Sequence, residues 1–102
     1  MNQAQLMAQV KKMQAEMTRA QEELANAVVQ GSAANGLVTV EMTGDQKLKS
    51  VKIGKDAVDP DDIETLEDLV TVAFNDAMTK SNELAQKRMG GLTGGMKIPG
   101  LM

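Results

Sequence analysis

The 102-residue chain has no cysteine and no histidine, and its aromatic content is a single phenylalanine, Phe74. Without cysteine there can be no disulfide, thiolate zinc site or thiol catalysis, and a reducing compartment is permitted. Without histidine, cysteine or tyrosine, acid–base work near neutral pH falls to a strongly perturbed carboxylate or lysine. The three serines, Ser32, Ser50 and Ser81, lie outside any GxSxG turn or SxxK pair. An enzyme is therefore not expected, and neither is a cofactor, a metal or a small-molecule substrate. No apolar run reaches the about 18 residues of a membrane span, and the opening MNQAQLMAQVKK lacks the h-region of a signal peptide. The expected location is the cytoplasm, with no membrane partner.

What is present is valine, leucine, isoleucine, alanine and nine methionines. Such a core packs adaptably, and in one domain of this size it is adequate but not generous. With little aromatic area to bury, the fold is expected to draw stability from a second copy. The net charge of −3 is unevenly distributed. Residues 1–20 carry Lys11, Lys12 and Arg19 against Glu16, a local +2; residues 79–102 carry Lys80, Lys87, Arg88 and Lys97 against Glu83, a local +3. The segment between holds the other twelve acids and four lysines, a local −8. An overall acidic chain is a poor non-specific nucleic-acid binder, but local charge acts within a Debye length of about 8 Å. Two basic ends brought together by folding would form a binding surface.

Leu6, Val10, Met13, Met17, Ala20, Leu24 and Ala27 recur at spacings of four and three, a heptad seam on a helix from residue 2 to about 27. The seam suits a core-facing amphipathic helix, or a helical hairpin or dimer arm, equally well. Val28 and Val29 open a first strand, and 31–36, GSAANG, is expected as a flexible connection. Val38, Val40 and Met42 then alternate with Thr39, Glu41 and Thr43 as a half-buried antiparallel strand. Residues 44–46 form a short hairpin loop, and the return strand has Val51 and Ile53 facing in. Leu48 falls on the opposite parity, which requires either a bulge or a second packed face. Asp59 is expected as the N-cap of a second long helix with Pro60 at its first position. The acids there lack the glycine and the twelfth-position glutamate of a calcium loop. Ile63, Leu66, Val70, Ala73, Ala77, Leu84 and Arg88 continue at helical spacing until Gly90-Gly91, expected to stop the helix.

The fold class is thus α+β: a long N-terminal helix, a three-stranded antiparallel meander and a long C-terminal helix. Residues 1–90 form one dimerising domain and 91–102 a flexible glycine-rich tail. Helices of roughly 39 and 45 Å overhang strands of about 23 Å, so a two-fold homodimer with projecting helical arms is expected. The positions expected to pack in the core or across the dimer are Leu6, Val10, Met13, Met17, Leu24, Val38, Val40, Val51, Ile53, Leu66, Val70 and Phe74.

The segments Asn35-Gly36-Leu37-Val38-Thr39-Val40 and Leu48-Lys49-Ser50-Val51-Lys52-Ile53 resemble the central signature of the YbaB/EbfC family of bacterial nucleoid-associated proteins. So do Leu66-Glu67-Asp68-Leu69-Val70 and Ala73-Phe74-Asn75-Asp76-Ala77, with Lys12-Met13-Gln14 ahead and Thr93-Gly94-Gly95 and Pro99-Gly100-Leu101 behind. The likeness covers essentially the whole chain, its fragments in order and at the right spacing. It implies a cytoplasmic, nucleoid-associated homodimer that binds double-stranded DNA with little or moderate sequence preference and has roles in nucleoid organisation and gene regulation. The contact residues rest on charge geometry instead. Lys12 and Arg19 are seven apart on nearly one helix face with Lys11 beside them, and Lys80, Lys87 and Arg88 repeat the arrangement on the last helix. Asn2, Gln3, Gln5 and Gln9 are available for base edges. The competing reading is a methionine-rich protein–protein interaction module, or an accessory subunit, without direct DNA binding.

Overall fold

A computed structural model describes residues 2–93 of the chain, with side chains through Gly90. The element order is α1 (Gln3–Asn26), β1 (Val28–Ala33), a 3-10 turn (Ala34–Gly36), β2 (Val38–Thr43), β3 (Leu48–Ile53), a second 3-10 turn (Lys55–Ala57) and α2 (Ile63–Thr93). The three strands form one antiparallel sheet in the order β1-β2-β3. The helix–meander–helix expectation holds, and the molecule is elongated, with principal extents of 70 × 26 × 17 Å.

The core lies between α2 and one sheet face. Ala33 from β1 and Val38, Val40 and Met42 from β2 are buried against Ala73 and Ala77 of α2, with Leu66, Leu69, Val70, Phe74 and Met78 half-buried around them. Polar residues Thr39, Glu41 and Thr43 alternate onto the other face, as the period of two requires. Ala73, Ala77 and Ser81 recur every four residues and, among the described residues, form the stripe of α2 that is fully covered. They are small because the helix rests almost on backbone. A Cβ on Gly31 would stand inside contact distance of the Ala77 amide nitrogen and the Ala73 carbonyl oxygen.

That close approach corrects the reading of 31–36 as a flexible connection. β1 runs through Gly31, Ser32 and Ala33, paired to Val40, Thr39 and Val38. The actual link is the three-residue turn, in which Ala34, Asn35 and Gly36 all have positive φ (53°, 57° and 91°). The parity of Leu48 is resolved by a bulge. Glu41 faces Ser50 and Met42 faces Leu48, so Lys49 is the extra residue, and Leu48 returns to the face of Met42.

Two helix boundaries also differ from expectation. Asp59 does not cap α2. Its carbonyl accepts the Asp62 amide at 2.9 Å and its carboxylate accepts the Asp61 amide at 2.9 Å, closing a turn with Pro60 in the position prolines favour. Asp62 carries the cap, accepting the Thr65 amide at 3.2 Å and the Thr65 hydroxyl at 2.6 Å. At the other end α2 does not stop at Gly90-Gly91 but continues to Thr93. Two glycines late in a long helix cost about 1 kcal/mol each relative to alanine, which does not by itself end it. Of the expected tail, residues 91–102, those from 94 onward lie outside the described residues.

The close seating of α2 predicts that Gly31→Ala destabilises the fold by about 3 kcal/mol or more, since helix backbone must retreat to admit the methyl group. Gly36→Ala, whose added carbon meets nothing within 4 Å, should cost only about 1–2 kcal/mol of left-handed strain. Urea unfolding of both variants checks the order; equal midpoints would contradict the packing described.

Candidate nucleic-acid interface

α1 and α2 leave the sheet at the same end. Leu24 of α1 is buried beside Gly44, where a Cβ would meet the Leu24 carbonyl at 2.8 Å. The Ser81 hydroxyl of α2 donates to the Thr43 carbonyl at 2.8 Å. From this junction α1 runs back toward its N-terminus and α2 onward toward its C-terminus, so the helices lie antiparallel and both basic ends project together. Arg88 joins them, its Nε donating to Glu23 at 2.6 Å. That bond holds the Glu23 carboxyl below its ordinary value and raises Arg88, with Glu16 adding to the field at Arg88.

Beyond the junction α1 is almost wholly exposed. Asn2 and Gln5 close a capping box, the Asn2 side chain accepting the Gln5 amide at 2.8 Å and Gln5 accepting the Asn2 amide at 3.3 Å. Those two side chains are thus engaged, whereas Gln3 and Gln9 are exposed. Only Ala20 and Leu24 of the heptad seam are buried within one chain; Leu6, Val10, Met13 and Met17 are 40–56% exposed. Val51 and Ile53 of β3 are likewise exposed, because α2 covers β1 and β2 and not the β3 side of its face. Of the expected packing positions, Leu24, Val38 and Val40 are buried in the single chain and Leu66, Val70 and Phe74 half-buried.

The expected cations divide into two groups. Lys11, Lys12, Arg19 and Lys87 are exposed on the two projecting helices. Lys12 and Arg19 lie on nearly one face about 10.5 Å apart along the axis, each about 100° around the helix from the seam residue that follows it, Met13 or Ala20. Lys80 and Arg88 are tied to the protein. Lys80 Nζ lies 3.2 Å from the Asp76 carboxylate and donates to the Gln30 carbonyl at 3.0 Å, while Arg88 is held by Glu23. Asp76 was not singled out in the sequence, yet its carboxylate also accepts the Ser32 amide at 3.0 Å. That backbone bond, and then Lys80, hold the Asp76 carboxyl below its ordinary value. The i, i+4 spacing of Asp76 and Lys80 was the available signal; no local signal marked Glu23 as the partner of Arg88, 65 residues away.

The acids concentrate at the far end. Asp59, Asp61, Asp62, Glu64, Glu67 and Asp68 surround the start of α2, and that helix is about 46 Å long. Among the described residues no group of three or more His, Cys, Asp or Glu could hold a metal ion, and no helix is long and apolar enough to cross a membrane. Outward of the junction the two helices carry more cations than acids, Lys11, Lys12 and Arg19 against Glu16 on α1 and Lys87 and Arg88 against Glu83 on α2.

Residues 1–96 match the YbaB/EbfC DNA-binding family. The chain belongs to that family. Membership in this DNA-binding family, rather than in an enzyme family, agrees with the missing catalytic groups. A relative from Roseiflexus castenholzii, called a nucleoid-associated protein, is 54% identical over 98% of this chain and 99% of its own length. Another nucleoid-associated protein, from Chloroflexus aurantiacus, is 50% identical over 95% of this chain and 97% of its own. The crystal structure of an uncharacterized Helicobacter pylori protein superposes with a TM-score of 0.81 at 20% identity, covering 92% of this chain and 99% of that one. At that identity it supports the fold alone.

Three depressed carboxyls should contribute to the acid limit of the fold. Glu23, Asp62 and Asp76 all titrate below their ordinary values of 4.5, 3.8 and 3.8. A depressed carboxyl contributes stability that is complete above its unfolded value and lost as pH falls through its folded value. With no histidine, the urea midpoint should be level from about pH 6 to 8 and decline below about pH 4.5. Asp76→Asn should lower the plateau and flatten part of the acid limb. A midpoint that changes between pH 6 and 8 would contradict this assignment.

Proposed function

We propose that this protein is a nucleoid-associated protein that binds double-stranded DNA as a homodimer, through phosphate contacts from its projecting helices. The observation that carries the reading is the antiparallel junction of α1 and α2. It sends Lys11, Lys12, Arg19 and Lys87 out from one end of the molecule, while the acids around the start of α2, Asp59 to Asp68, gather at the other. The names of the relatives and the description of the family supply the nucleic acid. Exposed lysine and arginine on rigid helices neutralise phosphates and set register without reading bases. Single strands and RNA loops are disfavoured as targets, because stacking platforms need aromatic faces and Phe74 is packed in the core.

Two copies are invoked because one leaves too much apolar surface open. Leu6, Met7, Val10, Met13 and Met17 on α1, and Leu48, Val51, Ile53, Val58 and Ile63 at the β3 side, are each at least 40% exposed. A two-fold partner covers part of this surface and doubles the cations. The acidic bodies repel the polyanion, leaving the arms to hold it, in keeping with roles in nucleoid organisation and gene regulation.

Binding to random-sequence duplex should weaken steeply with salt. Lys12→Gln with Arg19→Gln should lower the magnitude of the log–log slope by about 0.9 for each phosphate left without its cation. Lys80→Gln, which removes a cation already held by Asp76 and Gln30, should leave affinity within about twofold. Fluorescence anisotropy over a salt series checks both. An unchanged slope in the double variant would move the binding surface off α1, and affinity insensitive to salt would favour a protein partner.

A further inference from the structure

We propose that residues 94–102 dock along the exposed seam of α1 in the same chain, covering its methionines and adding Lys97 to the cations of the arm. The docking needs no nucleic acid. The role of Lys97 rests on the DNA binding proposed above.

The seam is one apolar row, covered at one end and open at the other. Ala20 and Leu24 are buried, whereas Met17, Met13, Val10 and Leu6 beyond them stand at 40–56% exposed. The change falls where α2 runs out. Arg88 is bonded to Glu23, and the helices are antiparallel, so each residue farther along α2 lies beside one nearer the start of α1. Thr93, the last residue of α2, is five past Arg88. That advance of about 7.5 Å brings it to the level of Thr18. The open row begins there and runs on for about 18 Å to Leu6.

What leaves α2 at that point is the rest of the chain, GGMKIPGLM. Met96, Ile98, Leu101 and Met102 are apolar, and Lys97 alone in this segment is charged. Gly94 and Gly95 bring no side chain to obstruct the step from beside α1 to over its seam. Pro99 biases Ile98 toward extended backbone. In an extended segment Met96 and Ile98 point one way and Lys97 the other. Nine extended residues span up to about 30 Å, which exceeds the length of the open row. With Met96 and Ile98 on the seam, Lys97 stands outward.

The docked segment and the cations of α1 do not compete. Lys12 and Arg19 each lie about 100° around the helix from the seam residue that follows, so covering the seam leaves them open and sets a further cation alongside. A second copy of α1 is the other occupant that a heptad row could take. The chain's own segment is favoured because it starts at the end of the row. A short link gives an effective concentration on the order of mM, whereas a second copy must be recruited from solution.

The native chain has no cysteine, so a nitroxide carried on Lys97→Cys marks one site in the full chain. Without DNA it should strongly broaden the methyl resonances of Met7, Met13 and Met17. Adding Met96→Gln with Ile98→Gln should reduce that broadening at least threefold, while unshifted Met42 and Met78 resonances show the fold retained. Equal broadening with and without the paired substitution overturns the docking. When nitroxide and methyl label are on separate chains in an equal mixture, broadening should be weak. Broadening confined to that mixture overturns the same-chain occupant and gives the seam to a second copy. On random-sequence duplex, Lys97→Gln should lower the magnitude of the log–log salt slope by about 0.9, and by less than half as much in the chain carrying the paired substitution. A slope that Lys97→Gln leaves unchanged overturns the role of Lys97 alone. Wild-type protein that does not bind duplex overturns the function proposed above, and the DNA-free broadening still decides the docking.

Discussion

The seating of α2 on bare backbone at Gly31 is the interaction on which the rest of the structure depends. Because Gly31 has no side chain and Ala73, Ala77 and Ser81 have short ones, the helix lies close enough for its flank to reach the rim of the sheet. That proximity lets Asp76 and Lys80 bond the edge of β1. It also places α2 over β1 and β2 rather than centrally, which leaves Val51 and Ile53 uncovered on β3. A larger residue at any of these positions would lift the helix and loosen these consequences together.

The same seating sets the direction of the arms. Ser81 bonds Thr43 at the end of the β2–β3 hairpin, Leu24 packs beside Gly44, and Glu23 clasps Arg88 one step farther out. Among the described residues full burial goes no farther than Ala20 on α1 and Ser81 on α2. Beyond them α1 is solvent-exposed and α2 at most half-buried, which is unfavourable for their apolar seam and favourable for displaying cations. The separation of basic ends from an acidic middle, noticeable in the sequence, becomes a separation in space because the two chain ends leave the sheet together.

The elements were legible where the signal was local. Period and spacing marked both helices, the alternation at Val38, Val40 and Met42 marked β2, and the parity of Leu48 called for either a bulge or a second packed face, of which the bulge, at Lys49, is the one formed. Residues 31–36 were misread because small residues in a strand look like a linker. Their meaning lies in a helix some forty residues later. The cap fell on Asp62 rather than Asp59 because Pro60 serves the preceding turn. Helical spacing placed Lys80 and Arg88 on display with the other basic residues, but spacing cannot show that Gln30 and Glu23, 50 and 65 residues away, are their partners. Family resemblance was legible throughout, since it is carried by ordered fragments over the whole chain, and residues 1–96 match that family.

The central claim is that the arms hold the duplex and the body does not. Methionine methyl groups report on this directly, because Met7, Met13 and Met17 lie on α1 while Met42 and Met78 lie in or beside the core. On titration of methyl-labelled protein with random-sequence duplex, the NMR resonances of Met7 and Met13 should shift while those of Met42 and Met78 stay fixed. Shifts at Met42 and Met78 with Met7 and Met13 unmoved would place DNA on the body and contradict the account.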